Sequence, residues 1–199
     1  MNKINAVCVY CGSNPGTEPD FLKAATRFGK ILAQNDVRLI SGGGSGGLMG
    51  ALAEAVLQHG GAVTGIIPEF LTKREQPRRL AQELIVTHDM HDRKRLMFEH
   101  ADAFVALPGG YGTLEVLIEQ ITWAQLGRHK KPILIANIEG YWDPLLVLIE
   151  HMRAIKFVPP PLHVDFLVTE NVDDILPMLR EAAQKIAAET PMTVPAERL

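Results

Sequence analysis

Short apolar runs alternate with longer amphipathic stretches from one end of this chain to the other. Runs of strand length lie at Ala6 to Tyr10, Val37 to Ile40, Ala62 to Ile67, Leu84 to Thr87, Ala103 to Leu107 and Ile133 to Ala136, with an edge strand expected from Phe166 to Thr169. Most are continuously apolar rather than alternating, the pattern of strands buried on both faces. Helices are expected near residues 18–34, 47–59, 90–100, 113–127, 143–155 and 172–188, the last starting at Asn171 or Asp173 after the break at Pro159-Pro160-Pro161. This alternation predicts an α/β fold. It would be a single doubly wound, Rossmann-like domain over residues 1–188, its parallel sheet covered by helices on both faces through right-handed crossovers. Residues 189–199 carry two prolines and little periodicity, and a loose tail is expected there.

Composition narrows the classes of function. The 199 residues are 47% hydrophobic, enough for one domain with a substantial core. A net charge of −3 with both signs interspersed argues against a nucleic-acid partner, which would want a basic surface. No apolar run reaches the ~18 residues of a membrane span, and Ile4 to Tyr10 is too short for a secretory signal, so a cytoplasmic protein without membrane contact is expected. Cys8 and Cys11 form a C-x-x-C. A redox pair is one reading, but Cys8 lies inside the run Ala6-Val7-Cys8-Val9, which favours two inert buried thiols.

In a doubly wound sheet the loops after the strands gather at one edge, where ligands bind. Pro108-Gly109-Gly110-Tyr111-Gly112-Thr113 follows the strand at 103–107 and opens a helix, the placement of a phosphate cradle. Ser41-Gly42-Gly43-Gly44-Ser45-Gly46-Gly47 is a second glycine nest, and Cys11-Gly12-Ser13 adds a hydroxyl at Ser13. Gly42, Gly44 and Gly47 also match a dinucleotide fingerprint, but the acidic partner would have to be Glu69, beyond Pro68, a poor fit for NAD. Asp89-Met90-His91-Asp92-Arg93-Lys94 opens another helix near the same edge, so that Arg93 or Lys94 would face an anion or simply be solvated. His88 and His91 lack further ligands, and no metal is expected.

On a helical wheel of the 113–127 stretch, Leu114, Leu117, Ile118, Ile121 and Ala124 share one broad face while Val116 and Trp123 lie nearly opposite. One face meets the sheet. The other would be covered by a second subunit, giving a homodimer, or by a neighbouring helix of the same chain.

Together these motifs resemble the LONELY GUY family of cytokinin riboside 5′-monophosphate phosphoribohydrolases, long labelled lysine decarboxylases. Tyr10-Cys11-Gly12-Ser13, Gly42-Gly43-Gly44 with Gly47-Leu48-Met49-Gly50, Met90-His91-Asp92-Arg93-Lys94, Pro108 to Thr113 and Thr122-Trp123-Ala124-Gln125-Leu126-Gly127 carry the likeness across nearly the whole chain. The resemblance implies hydrolysis of the N-glycosidic bond of a nucleoside 5′-monophosphate, such as AMP, to free base and ribose 5-phosphate. It implies no cofactor, and dimers or larger assemblies. It also implies a nucleotide site lined by Glu75, Arg93, Lys94, Gly110, Tyr111, Gly112, Thr113 and Thr122. With the neighbouring Gly109, Leu114, Glu115 and Val116, the Gly42 to Gly44 loop and Ser13, these are the candidate substrate-binding residues.

One position departs from the family. Its P-G-G-x-G-T-x-x-E motif, counted from Pro108, places the catalytic carboxylate at position 116, where this chain has Val116. A valine neither polarises water nor holds ribose hydroxyls as positive charge grows on the sugar. Glu115 and Glu119 are the nearest acids, and Glu119, one turn on, is the candidate substitute, with Arg93 as the second catalytic residue. Losing a general acid or base costs about 10²- to 10⁴-fold in rate, so the expectation is a nucleotide hydrolase of low activity. The rival is a non-catalytic purine nucleotide-binding or sensing protein. A pyridoxal-dependent decarboxylase is the weakest reading, with Lys94 the one lysine in the cluster to carry the cofactor.

Overall fold

The computed structural model describes residues 3–75 and 81–189. Seven strands, β1 (Ala6–Tyr10), β2 (Arg38–Ser41), β3 (Val63–Pro68), β4 (Glu83–Thr87), β5 (Ala103–Ala106), β6 (Ile133–Ala136) and β7 (Leu167–Thr169), form one parallel sheet in the order β4-β3-β2-β1-β5-β6-β7. The five inner strands are buried throughout except at Arg38, while β4 and β7 at the edges are partly exposed. That is why the inner runs read as continuously apolar. From β1 the chain steps outward to β4, then crosses back to place β5 on the other side of β1. The loops after β1 and β5 therefore leave in opposite senses, and a crevice opens between them at the carboxyl edge.

The helices are α1 (Pro19–Gln34), α2 (Gly47–Gln58), α3 (Glu69–Glu75), α4 (Met90–His100), α5 (Tyr111–Gln125), α6 (Asp143–Ala154) and α7 (Ile175–Glu189). On one face of the sheet, α1, α2 and α7 pack over Val7, Val9, Leu39, Val105 and Leu134; on the other, α4, α5 and α6 pack over Cys8, Tyr10, Phe104 and Ile135. Both faces are thus covered, as the strand-helix alternation requires. Local chemistry sets several starts. Pro19 opens α1, and the Asp89 carboxylate caps α4 by accepting from the Asp92 amide at 2.8 Å.

Three elements differ from expectation. The short helix α3 goes unread in the sequence because Pro68 and the polar run after it look like a loop. The last helix starts at Ile175, after a 3₁₀ turn at Val172–Asp174 that Asn171 caps through the Asp173 amide. It runs to Glu189, and residues 190–199, where a tail is expected, lie outside the described residues. Finally α5 begins at Tyr111 rather than 113, with Gly110 as its cap, so the glycine motif is itself the helix N-terminus.

The two apolar faces read on α5 also resolve differently. Val116, half-buried, packs against the core cluster beneath α4 and α5, and Trp123 stands edge-on to Phe98 of α4 with ring centroids 5.2 Å apart. That side is covered within the same chain. The apolar residues left outward on this helix are Tyr111, Ile118 and Leu126. Cys8 and Cys11 are both free and buried, and burial pushes each thiol up to about 12, so neither supplies the thiolate that redox exchange needs.

The helices α1 and α2 approach most closely at Gly29, where a Cβ would lie 2.5 Å from Leu52 O and 2.8 Å from Ala55 Cβ. Gly29→Ala gains helix propensity, yet the crowding against α2 backbone outweighs it. A loss of about 1–3 kcal/mol is expected, measured as a lower midpoint in chemical denaturation with unchanged slope.

Candidate nucleotide site

Three loops meet at the carboxyl edge by direct contact of backbone with backbone. The Gly12 amide donates to Pro108 O at 3.0 Å, and the Met49 amide, in the first turn of α2, donates to Gly12 O at 3.2 Å. Side chains would prevent this. A Cβ on Gly109 would meet Gly12 N at 2.8 Å, and one on Gly47, whose φ is +56°, would run into Asn14 and Ser13. These glycines are thus explained by close packing of protein against protein.

Gly110 and Gly112 are not. A Cβ built on either meets nothing within 4 Å, and neither has a positive φ. Both line a cleft of about 570 Å³ at the start of α5. The first amides of a helix have no partner within it and carry the positive end of its dipole. Bare glycines at that point leave room for an anion to come within hydrogen-bond reach. Thr113, buried, lies beside them and also lines the cleft, as do Gly109, Tyr111 and Ser13.

The second glycine loop behaves differently from the cradle that its sequence suggests. Gly42 and Gly44 line the cleft, but Gly43 turns back to pack on Ile67. The Gly43 amide donates to Ser41 Oγ at 3.3 Å and the Gly44 amide to Met49 Sδ at 3.2 Å. Protein acceptors already use these amides. The contribution of Gly42 is space, because a Cβ there would collide with the Arg93 guanidinium. Arg93 enters the cleft through that gap, beside Met90. Burial, chiefly, raises the phenol of Tyr10 well above its ordinary range, so this cleft residue is a neutral hydroxyl.

Lys94 lines the cleft too, but its charge is committed. Its Nζ lies 2.6 Å from Glu115 Oε1 and 2.9 Å from Glu119 Oε1. Burial opposes its charge, yet the two hydrogen bonds prevail and raise the ammonium above its usual range. A Schiff-base lysine has to be neutral to react, so Lys94 does not fit a pyridoxal cofactor. Of the two acids, Glu115 lines the cleft. Glu119 is not among the lining residues, and its Oε2 is buried without a hydrogen-bond partner among the described residues.

The remaining candidates scatter. Leu114 and Val116 both pack, half-buried, against the core, and of the two Val116 also lines the cleft. Thr122 is exposed on the outward side of α5, where its hydroxyl donates to Ile118 O at 2.8 Å. Glu75 is the last residue of α3, and its side chain lies outside the described residues. Glu69, the acid an NAD reading needs, opens α3 and does not line the cleft; the loop carrying Gly42 follows β2 and not a strand at the switch point. Sequence reading misses Tyr141 and Phe21, which close the cleft beside the α5 start. Neither belongs to a motif, and only the order of the strands brings them to it.

Comparison with known proteins gives the family and the fold. The family model described as possible lysine decarboxylase matches residues 49–179. A protein of Oryza sativa subsp. japonica named probable cytokinin riboside 5′-monophosphate phosphoribohydrolase LOG4 is 43% identical over 180 residues, covering 90% of this chain and 78% of that protein. Cytokinin riboside 5′-monophosphate phosphoribohydrolase LOG7 of Arabidopsis thaliana is 41% identical, covering 90% and 83%. Among solved structures, the Moco carrier protein of Chlamydomonas reinhardtii superposes with a TM-score of 0.70 at 18% identity, over 92% of this chain and 99% of that one. The molybdenum cofactor binding protein of Rippkaea orientalis gives 0.67 at 17%, over 90% and 97%. These two likenesses are of fold alone. The family match and the plant relatives together establish that this chain belongs to the LONELY GUY family, whose model carries the description possible lysine decarboxylase.

Proposed function

We propose that this protein binds a nucleoside 5′-monophosphate, AMP or a cytokinin riboside monophosphate, and hydrolyses its N-glycosidic bond slowly to free base and ribose 5-phosphate. The observation that carries the reading is the pair Gly110 and Gly112. They stand at a helix N-terminus with open space where their side chains would be, and no protein neighbour accounts for them. The 5′-phosphate sits on the α5 amides with Thr113. Arg93, entering past Gly42, lies toward the sugar and the bond that breaks.

The reaction needs a carboxylate to orient water and to balance the oxocarbenium charge. Position 116 faces the cleft but holds Val116. The sequence favours Glu119 as its substitute, but the geometry favours Glu115, the acid that lines the cleft while Lys94 bridges the two. An acid shifted from its place and tied to an ammonium orients water poorly, and misplacement of this order is costly. Phosphate binding is untouched by that loss because it uses other groups. A nucleotide-binding protein without turnover is therefore the second reading, favoured by the apolar side chain at position 116.

The same reading includes a homodimer formed through the outward side of α5, where Ile118 is 36% and Leu126 75% exposed. Light scattering should then give a particle of about twice the 21.9 kDa chain; a monomer at micromolar concentration would remove this part.

Gly112→Ala separates ligand binding from folding. Alanine is favoured over glycine in a helix by about 1 kcal/mol, so the variant should melt no lower than wild type while its AMP affinity falls tenfold or more. Equal affinity would remove the phosphate from α5. Base release from AMP and isopentenyladenosine monophosphate, followed by chromatography, tests the chemistry. Val116→Glu should raise it about 10²- to 10⁴-fold. If the wild type binds AMP and neither form releases base, the binding-only reading holds.

A further inference from the structure

We infer that Tyr141 is a positioning residue for the anion cradle: its hydroxyl fixes the orientation of the Gly109–Gly110 peptide and so keeps a carbonyl from facing the bound phosphate. The inference rests on the assignment of the phosphate to the start of α5.

The turn that carries Tyr141 is built to hold it. After β6, Glu139 and Gly140 both adopt left-handed backbone, at φ +51° and +67°. A side chain such as glutamate tolerates that region only at a cost of about 1–3 kcal/mol. Asn137 clamps the turn by accepting from the Trp142 amide at 2.7 Å and donating to Asp143 Oδ1 at 2.8 Å. Trp142, 5% exposed, anchors it in the core. Tyr141 itself is left at the cleft wall, its ring edge-on to Phe21 with centroids 5.5 Å apart. Its hydroxyl donates to Gly109 O at 2.5 Å, across 32 residues of sequence.

The acceptor matters because of its place. The peptide that joins Gly109 to Gly110 lies between the two residues with the fewest steric limits, so its plane rotates more easily than most. Being planar and trans, it directs the Gly110 amide opposite to the Gly109 carbonyl. Holding that carbonyl at Tyr141 therefore decides which of the two groups is turned toward an anion at the helix start. A flip would exchange a donor that attracts phosphate for an oxygen that repels it. Pro108 O, on the preceding peptide, is already engaged by Gly12. The tyrosine adds a second brace one peptide further on.

Tyr141→Phe tests this, because it removes the hydroxyl and keeps the ring against Phe21. Calorimetric titration compares ribose 5-phosphate, which carries the phosphate, with adenosine, which does not. Ribose 5-phosphate binding should weaken roughly tenfold, the scale of one hydrogen bond, while adenosine binding and the melting temperature stay as in wild type. Equal weakening of both ligands would mean a general change in cleft shape, and wild-type affinity for both would mean that the hydroxyl is idle; each overturns the inference. So does a loss that appears only in Tyr141→Leu, which would assign the effect to the ring. Wild-type protein that fails to bind ribose 5-phosphate removes the phosphate assignment itself, and the role of Tyr141 with it.

Discussion

The site depends on how closely three loops approach at the carboxyl edge of the sheet. Backbone meets backbone where the loop after β5 takes the Gly12 amide and the first loop takes the Met49 amide of α2. Contacts this short exclude side chains, so packing requires glycine at positions 47 and 109, and the left-handed backbone at Gly47 favours it further. The strand order supplies the geometry. With β1 and β5 adjacent and the chain winding away from both, their loops are the ones that border the crevice. These contacts set where the start of α5 stands relative to the other loops that line the cleft.

Within this brace the glycines divide by what lies in front of them. Those at 12, 47 and 109 look onto protein, that at 42 onto Arg93, and those at 110 and 112 onto open space. The division matters chemically because a glycine-rich sequence by itself does not say whether its amides are free. At the second loop Ser41 and Met49 use them, whereas at α5 the Thr113 amide donates to Gly110 O and those of Tyr111 and Gly112 have no acceptor within the helix. One loop thus makes room for Arg93, and the other keeps open space before a helix start.

The charges near the cleft follow the same economy. Lys94 is held between Glu115 and Glu119, and Arg93 is the cation for which Gly42 makes space. Arg93, Lys94, Glu115 and Glu119 sum to no net formal charge, so the positive field at the cleft is that of the α5 start rather than of a basic patch. Val116 keeps that balance, and a carboxylate at this position would add a third acid to the cluster.

The strands, nearly all the helices and the glycine loop at the start of α5 are legible along the chain. Each of these is a local matter: inner strands show unbroken apolar runs, α1 shows its helical period, and glycines between a strand and a helix mark a tight turn. The family likeness was legible for the same reason, since its motifs are short and contiguous. Tertiary structure alone decided which amides are free, that Gly42 makes room for Arg93, that Lys94 is shared by two glutamates, and that Tyr141 reaches Gly109. It also turned Trp123 inward onto Phe98 where the helical wheel suggested an unpaired face. The physical reason is the same in each case. These contacts join residues from separate loops and helices, and their distances are set by strand order and by how helices settle on the sheet, for which neighbouring residues along the chain carry no signal.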